Sequence, residues 1–350
     1  MGLRDNNKEP VLIVENLKTY FEQAEGTVKA VDGVSFDLKP NEVIGIVGET
    51  GSGKSVTVKS IMRLIYPPGR IAGGKILFKT DEFSPGNSQF IDITELSEDQ
   101  MTRIRGKHIS MVFQDPMTSL NPMFTIEDQM IETIMFHRKV DEQEARRIAL
   151  EMLEKVKIPD PERRLKDYPF QLSGGQRQRV VIAIALSCNP EILIADEPTT
   201  ALDVTVQAQI LELMESLQKE FHTSIIFITH DLAVIAEIAD KVMVMYGGKT
   251  VEYANVYTIF ENPVHPYTKA LLSCIPRVDV KQSDLNPIPG QPPVILNAPN
   301  VCPFLPRCNL RIQKCEKELP ELVEVSEGHY VRCFEEVIEK SLADVRGGQK

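Results

Sequence analysis

The segment EVIGIVGETGSGKSVTVKSIMRLI, residues 42–65, restricts the fold of this 350-residue chain more than any other part of it. Its apolar run Val43–Val47 predicts a buried strand, and the pattern after it predicts a helix. Between them, Gly48–Ser55 fit G-x-x-x-x-G-K-[ST], in which glycines let backbone N–H groups surround an anion at a helix N-terminus. In such a loop Lys54 would reach the β- and γ-phosphates, and the Ser55 hydroxyl would bind Mg²⁺. The segment therefore predicts a nucleotide-binding loop, with a glycine-rich turn that binds nothing as the alternative.

Two further segments extend this chemistry. In ILIADEP, residues 192–198, an apolar strand ends in Asp196, suited to Mg²⁺, and Glu197, suited to orienting an attacking water. Alone, such a pair is often only a solvated strand end. In LSGGQRQR, residues 172–179, small residues open a helix whose N-terminus can take a second phosphate contact. A capped helix start without a ligand is the alternative there.

Composition and the order of the predicted elements restrict the fold class, the binding partners and the cellular setting. Predicted strands and helices alternate as far as about Phe260, which predicts an α/β fold with a largely parallel sheet. Beyond that point prolines crowd together and periodicity fades until a last helix near Phe334 to Val345. The net charge of -11 argues against a nucleic-acid binder. The chain has no apolar run of membrane-helix length and no secretory signal, so we expect a reducing, cytosolic setting.

The motifs together resemble the ATP-binding subunits of ABC transporters, over roughly residues 11–260. GETGSGKS resembles their Walker A loop, ILIADEP their Walker B strand, and LSGGQ their signature motif. Gln114 in MVFQDP is similar to the Q-loop glutamine, Asp203 in TTALD to the D-loop aspartate, and His230 in ITHD to the switch histidine. Phe21, or else Tyr20, falls where the family stacks an aromatic ring on adenine.

This resemblance implies a P-loop NTPase with a RecA-like core at residues 1–260 and an inserted helical subdomain at about 115–180. It implies hydrolysis of ATP to ADP and phosphate, in a head-to-tail dimer that pairs one subunit's Walker motifs with the partner's LSGGQ. The implied catalytic residues are Glu197, His230 and Gln114, and the implied Mg²⁺ ligands are Ser55, Gln114 and Asp196. The implied nucleotide contacts are Phe21, Gly48, Glu49, Thr50, Gly51, Ser52, Gly53, Lys54, Ser55, Val56, Gln114, Ser173, Gly174, Gly175, Gln176, Asp196, Asp203 and His230.

The string FENPVHPYTKALLSCIP, residues 260–276, resembles the start of a C-terminal extension in ATPases of oligopeptide, dipeptide and nickel uptake systems. We call residues 261–350 the extension. The resemblance implies import of di- or oligopeptides, two membrane permeases, a second ATPase chain that differs from this one, and an extracellular or periplasmic binding protein. It also implies a peripheral location on the cytoplasmic face of the membrane. Import of nickel or another small solute is one alternative, and a soluble ABC ATPase without a transport role is another.

Four cysteines in the extension, Cys302, Cys308, Cys315 and Cys333, have the spacing C-x5-C-x6-C-x17-C. Zinc sites usually use closer pairs, whereas iron–sulfur clusters accept wider, loop-borne spacing. A region with so few periodic apolar residues would also fold weakly without a staple. The segment resembles the tails of peptide-importer ATPases that bind a [4Fe–4S] cluster, which is the occupant we expect. Zn²⁺ and four unligated thiols are the alternatives, and Cys188 and Cys274 are expected to be structural.

Overall fold

A computed structural model describes residues 9–200, 202–274, 288–293 and 296–347. The strands among them are β1 (Leu12–Gln23), β2 (Gly26–Leu38), β3 (Val43–Val47), β4 (Gly69–Thr80), β5 (Gln89–Asp92), β6 (Ile109–Val112), β7 (Ile192–Asp196), β8 (Ser224–Ile228), β9 (Lys241–Tyr246), β10 (Lys249–Asn255), β11 (Leu322–Ser326) and β12 (His329–Arg332). The α-helices are α1 (Lys54–Ile61), α2 (Glu98–Ile104), α3 (Pro116–Ser119), α4 (Ile126–Arg138), α5 (Glu142–Lys155), α6 (Pro161–Leu165), α7 (Gly174–Leu186), α8 (Val204–Phe221), α9 (Leu232–Ile238), α10 (Val256–Glu261), α11 (Pro266–Ser273) and α12 (Glu335–Gly347).

The described residues divide into two compact units. Unit 1 comprises those of Met1–Leu12, Asp37–Val43 and Leu77–Ile228. Unit 2 comprises those of Ile13–Phe36, Ile44–Ile76 and Thr229–Lys350. No helix in the described part of the chain is both long enough and apolar enough to cross a membrane.

Unit 1 is built around parallel strands. β7 pairs in parallel with β6 on one side and with β8 on the other. Every residue of these three strands is buried, which explains why they read in the sequence as short, continuous apolar runs. α4 packs against α5, and α5 packs against α7. α4 and α5 lie within residues 115–180, where the sequence predicts a helical subdomain, and α7 begins there.

Unit 2 carries a second set of paired strands. β3 is parallel to β9, and β9 pairs antiparallel with β10. The extension then contributes a hairpin, since β12 pairs antiparallel with both β10 and β11. Val264, Val331 and Ile338 form a small apolar cluster behind this hairpin. The extension thus contains regular structure that its sequence does not predict.

The hairpin is fastened by a buried carboxylate on β10. Glu252 has no exposed surface and accepts hydrogen bonds from the N–H groups of Val264 (2.7 Å) and His265 (2.9 Å). His329 on β12 completes the set, with Nε2 at 2.8 Å from Oε1 of Glu252. A buried carboxylate costs stability unless such partners surround it. Glu252 therefore ties β10, the start of the extension and β12 together.

Candidate nucleotide-binding site

The predicted site residues occur in both units. In unit 2, the loop Gly48–Ser55, called the phosphate loop below, connects β3 to α1. Gly53 precedes α1 with a φ of 103°, and a Cβ there would lie 2.3 Å from the carbonyl oxygen of Ala30. A Cβ on Gly48, whose φ is 151°, would lie 2.2 Å from the carbonyl oxygen of Met245. Both glycines of the motif are therefore required by the path of the backbone.

Two buried polar side chains of the phosphate loop suit an anion. Lys54 is buried, and its Nζ donates to the carbonyl oxygens of Gly48 (2.7 Å) and Glu49 (3.1 Å). Ser52 is also buried, and its Oγ has no hydrogen-bond partner among the described residues. A buried hydroxyl left in that state costs free energy. Together with the ammonium group, it fits a loop completed by a phosphate.

The remaining loop residues lie around these two. Glu49 is half-buried, Thr50 and Gly51 are exposed, and Ser55 and Val56, in the first turn of α1, are half-buried. The structure thus places Ser55 directly after Lys54 at the helix N-terminus, as the motif predicts.

The two aromatic candidates on β1 differ in their surroundings. Tyr20 donates a 2.7 Å hydrogen bond to Asp32, and burial together with that carboxylate raises the pKa of Tyr20 to about 12. Phe21 is half-buried and lies close to Gly69, where a Cβ would come within 2.5 Å of its ring. Because the Tyr20 hydroxyl is held by Asp32, Phe21 remains the residue we predict for adenine stacking.

In unit 1, the carboxylates Asp196 and Glu197 follow β7. Asp196 is buried, whereas Glu197 is half-buried and has a φ of 48°, in the left-handed region that a non-glycine residue seldom adopts. Its N–H donates to the carbonyl oxygen of Ile228 at 2.9 Å. Strained backbone of this kind occurs often at functional sites.

The Glu197 carboxylate is oriented by two donors. Gln114 Nε2 lies 3.1 Å from Oε2 of Glu197, and Thr200 Oγ1 lies 2.9 Å from the same oxygen. The structure therefore brings together Gln114 and Glu197, which are 83 positions apart in the chain. Thr200 is not among the residues predicted from the sequence. Its position in ADEPTT, three residues after Glu197, is the signal that could have identified it.

The signature segment opens α7 through a reciprocal cap. The Ser173 Oγ accepts from the N–H of Gln176 (3.3 Å), and the Gln176 Oε1 accepts from the N–H of Ser173 (3.0 Å). Gly174 and Gly175 form the first turn of α7. The capped helix start considered as an alternative is therefore present, and it leaves the role of this N-terminus in phosphate binding as a prediction.

The other two motif residues, Asp203 and His230, lie at or next to the N-termini of helices. Asp203 is exposed and caps α8, because its Oδ1 accepts from the N–H of Val206 at 3.0 Å. His230, in unit 2, is exposed and lies just beyond the end of β8. Their nucleotide contacts remain predictions.

The four cysteines of the extension meet at one small cavity. Cys302, Cys308, Cys315 and Cys333 all line it, its volume is about 10 Å³, and no disulfide joins them. Among the described residues, no three His, Cys, Asp or Glu side chains are grouped so as to hold one metal ion. Burial, reinforced by the neighbouring thiols, raises the pKa of Cys302 to about 11 and that of Cys333 to about 12. Burial likewise raises the pKa of Cys308, so these three thiols favour the protonated form.

The fold and the site define the class of protein: an ATP-binding cassette. The family model "ABC transporter" matches residues 31–200, and the model "Oligopeptide/dipeptide transporter, C-terminal region" matches residues 251–315. The chain is 50% identical over 327 residues to the dipeptide transport ATP-binding protein DppD of Bacillus subtilis, which covers 93% of this chain and 95% of the relative. It is 46% identical over 337 residues to the oligopeptide transport ATP-binding protein OppD of Escherichia coli, with 96% of both chains covered. The chain belongs to the family of ATP-binding subunits of ABC transporters, in its oligopeptide and dipeptide branch.

Solved structures agree with this assignment. The dimeric post-hydrolysis state of the ATP-binding cassette MJ0796, bound to ADP and Pi, matches with a TM-score of 0.60 at 29% identity. The match covers 70% of this chain and 98% of that one. The cassette cbiO1 of Clostridium perfringens, part of the cbiONQ transporter complex, matches with a TM-score of 0.59, also at 29% identity, covering 73% of this chain and 92% of that one. The predicted fold class and family are confirmed.

Proposed function

We propose that this chain is the ATP-hydrolysing subunit that powers import of di- and oligopeptides through a membrane ABC transporter. The observation that carries the proposal is the union of an ATPase cassette and a peptide-transporter C-terminal region in one chain. The relatives described above are named for dipeptide and oligopeptide transport. Import of nickel or another small solute by the same machinery is the outcome that a substrate test must separate from it.

ATP binding is assigned to the phosphate loop. Lys54 and the loop N–H groups would hold the β- and γ-phosphates, and the orphaned Ser52 hydroxyl would gain a partner. Phe21 would stack on adenine. Ser55, Gln114 and Asp196 are the oxygen donors assigned to Mg²⁺, which neutralises charge on the phosphates when it is bound.

Hydrolysis is assigned to Glu197 and His230. Glu197 would orient the attacking water and accept its proton. The hydrogen bonds from Gln114 and Thr200 support this role because they orient the carboxylate. His230 would contact the γ-phosphate and report its presence.

A second ATP-binding subunit completes the proposal. In a head-to-tail pair, Ser173, Gly174, Gly175 and Gln176 of each chain would face the nucleotide bound by the other, with Asp203 beside them. The dimeric MJ0796 cassette supports such a pairing. An isolated monomer of this chain should then hydrolyse ATP poorly. Co-purification identifies whether the partner is a different chain.

The permease contact is assigned to unit 1. Large apolar side chains are exposed in the segment that follows β6, at Phe113, Met117, Met123 and Phe124. Exposed apolar side chains in one segment mark interaction surfaces. We infer that one of the two membrane permeases docks there, which would hold the chain peripherally on the cytoplasmic face. The binding protein would act on the opposite side of the membrane, and nucleic acid has no part in the proposal.

For the extension we propose a [4Fe–4S] cluster on Cys302, Cys308, Cys315 and Cys333, with Zn²⁺ as the alternative. Their shared cavity and their four sulfur donors support it. At about 10 Å³ that cavity has room for one water, so loading would have to draw the thiols apart and release their protons. Protein purified without oxygen should absorb broadly near ~400 nm. Colourless protein with one zinc per chain would overturn the cluster, and colourless protein without metal would overturn both ions.

Co-purification tests the transporter assignment. The tagged chain, expressed from its native operon and extracted in mild detergent, should bring down integral permeases and a second ATP-binding chain. Purification of the tagged chain alone, in conditions where the permeases are present in the extract, would contradict it. Peptide and nickel uptake by cells that overproduce the complex then separate the two substrate classes.

A further inference from the structure

The phosphate loop is held by two residues of the extension, Tyr267 and Arg307. Both contacts converge on Glu49, the second residue of that loop. The N–H of Glu49 donates to the Tyr267 Oη at 2.9 Å. Its carboxylate accepts from Arg307 in a fork, with Nη1 to Oε2 at 2.6 Å and Nη2 to Oε1 at 3.0 Å. The backbone and the side chain of one loop residue are thus fixed from outside the cassette core.

Arg307 is built into its position with all five of its N–H groups donating. Besides the two bonds to Glu49, Nη1 donates to the Tyr246 hydroxyl at 3.1 Å. Nε and Nη2 donate to the carbonyl oxygens of Pro289 (2.8 Å) and Ile288 (3.1 Å). The arginine side chain is only 4% exposed. A fully satisfied, buried guanidinium has one position, and a lysine, with three donors, could not reproduce it.

The tyrosine side of the contact is equally rigid. Tyr267 is fully buried, and its ring centroid lies 4.4 Å from that of Tyr246 and 5.3 Å from that of Phe304. Burial raises the pKa of Tyr267, so its hydroxyl stays protonated. Its oxygen accepts from the Glu49 N–H, and its own proton remains on the hydroxyl at neutral pH.

The Glu49 peptide also belongs to the nucleotide machinery. Its carbonyl oxygen accepts from Lys54 Nζ at 3.1 Å, next to the Gly48 carbonyl at 2.7 Å. A shift of Glu49 would therefore move the lysine assigned to the phosphates. A loop that samples several conformations binds with an affinity reduced by the fraction that is competent.

We propose that Arg307 and Tyr267 are positioning residues that keep the phosphate loop of this subunit in its nucleotide-binding conformation. The inference rests on the proposed function, because it concerns ATP binding at the same loop. It goes beyond that function in giving the extension a direct part in nucleotide affinity. The fork from Arg307 sets the side chain of Glu49, and the hydroxyl of Tyr267 sets its backbone.

The test compares variants in the assembled transporter complex, by ATPase kinetics and by binding of a fluorescent ATP analogue. For R307A we expect the KM for ATP and the Kd of the analogue to rise about tenfold, which corresponds to about 1.4 kcal/mol. The kcat should change less than twofold, since Glu197 is untouched. R307K should resemble R307A, and Y267F, which removes one oxygen atom, should raise both constants severalfold.

The matched control is Arg332, a half-buried arginine of the extension. It donates to the carbonyl oxygens of Thr250 (2.9 Å) and Pro320 (3.2 Å), neither of which belongs to the phosphate loop. R332A should lower the melting temperature of the chain without a selective change in KM. If R307A does not assemble, R307K and Y267F decide, because both keep most of the packing.

Two results would overturn the inference: an unchanged KM in R307K and Y267F, or equal increases in R307A and R332A that follow loss of stability. A wild-type complex that fails to hydrolyse ATP would instead count against the proposed function. The two failures are therefore distinguishable in the same series.

Discussion

The backbone of Glu197 lies in the left-handed region, and its carboxylate receives hydrogen bonds from Gln114 and Thr200. These contacts orient an acid without neutralising it, which suits a residue that must position water. We predict that E197Q lowers the ATP turnover of the assembled complex by at least about 10²-fold, because general bases contribute on that scale. ATP binding should survive, as measured with a fluorescent analogue.

The control for this variant is E215Q, on the exposed face of α8, where Glu215 forms an ion pair with Lys219. It makes the same chemical change outside the predicted site residues and should turn over ATP at the wild-type rate. Turnover by E197Q within a few fold of wild type would refute the assignment of the base.

His108 provides a prediction about how the stability of the fold depends on pH. Burial lowers the pKa of His108, but its contacts with Glu191 and Glu82 outweigh that effect, so the pKa is raised. Its charged form therefore stabilises the fold below the unfolded-state pKa of about 6.5, and this contribution is lost as pH rises through the folded-state pKa. The stability difference between wild type and H108Q in urea should accordingly shrink between pH 6 and pH 9. A difference that is constant, or that grows with pH, would contradict the charge assignment.

The sequence predicts the individual residues of the phosphate loop because its pattern is local: strand, glycines, lysine and helix follow one another within residues 42–65. It does not predict Arg307 or Tyr267 as partners of that loop. They lie 258 and 218 positions from Glu49, and nothing in their own neighbourhoods points to it. Contacts over such separations are set by tertiary packing, which a single sequence does not reveal.

At the level of elements, buried parallel strands are the easiest to predict. β3 and β7 are buried strands of five residues that consist mostly of apolar side chains, and they appear where the sequence predicts them. The segment from Ile126 to Val156, whose apolar residues have helical spacing, forms the two helices α4 and α5. α4 ends at Arg138, the next residue, Lys139, has a φ of 53°, and Asp141 caps the start of α5.

The hairpin β11–β12 escapes prediction for a different reason. Its strands are only five and four residues long, and β11 has no buried residue. Short strands of this kind depend on their neighbours, here β10, and on the buried contact of His329 with Glu252. The pairing partner is distant in sequence, so the local pattern carries little of the information.

Glu252 provides the test of this element. E252A removes the acceptor of two backbone N–H groups and of His329, all buried, and should lower the free energy of unfolding by about 3 kcal/mol or more. E252Q keeps one acceptor oxygen and should fall between E252A and wild type. Urea unfolding measures both, and protease sensitivity of the extension localises the loss. Wild-type stability in E252A would contradict the fastening role.

At the level of the whole molecule, the extension and the phosphate loop belong to the same compact unit. The boundary near residue 260 that composition suggests remains a proposal about domain organisation. We propose three roles within one chain: ATP hydrolysis by the cassette motifs, permease docking by the exposed segment after β6, and positioning of the phosphate loop by the extension. Only the first two depend on partner subunits.

Peptide import powered by this chain is tested most directly by ATP hydrolysis in proteoliposomes that contain the purified chain, its permeases and its second ATPase. We predict that hydrolysis rises severalfold when the binding protein is loaded with di- or oligopeptide, and that the same peptide accumulates in the lumen if the binding protein is outside. Nickel should have neither effect. Hydrolysis that is indifferent to peptide but stimulated by nickel or another solute would contradict the account.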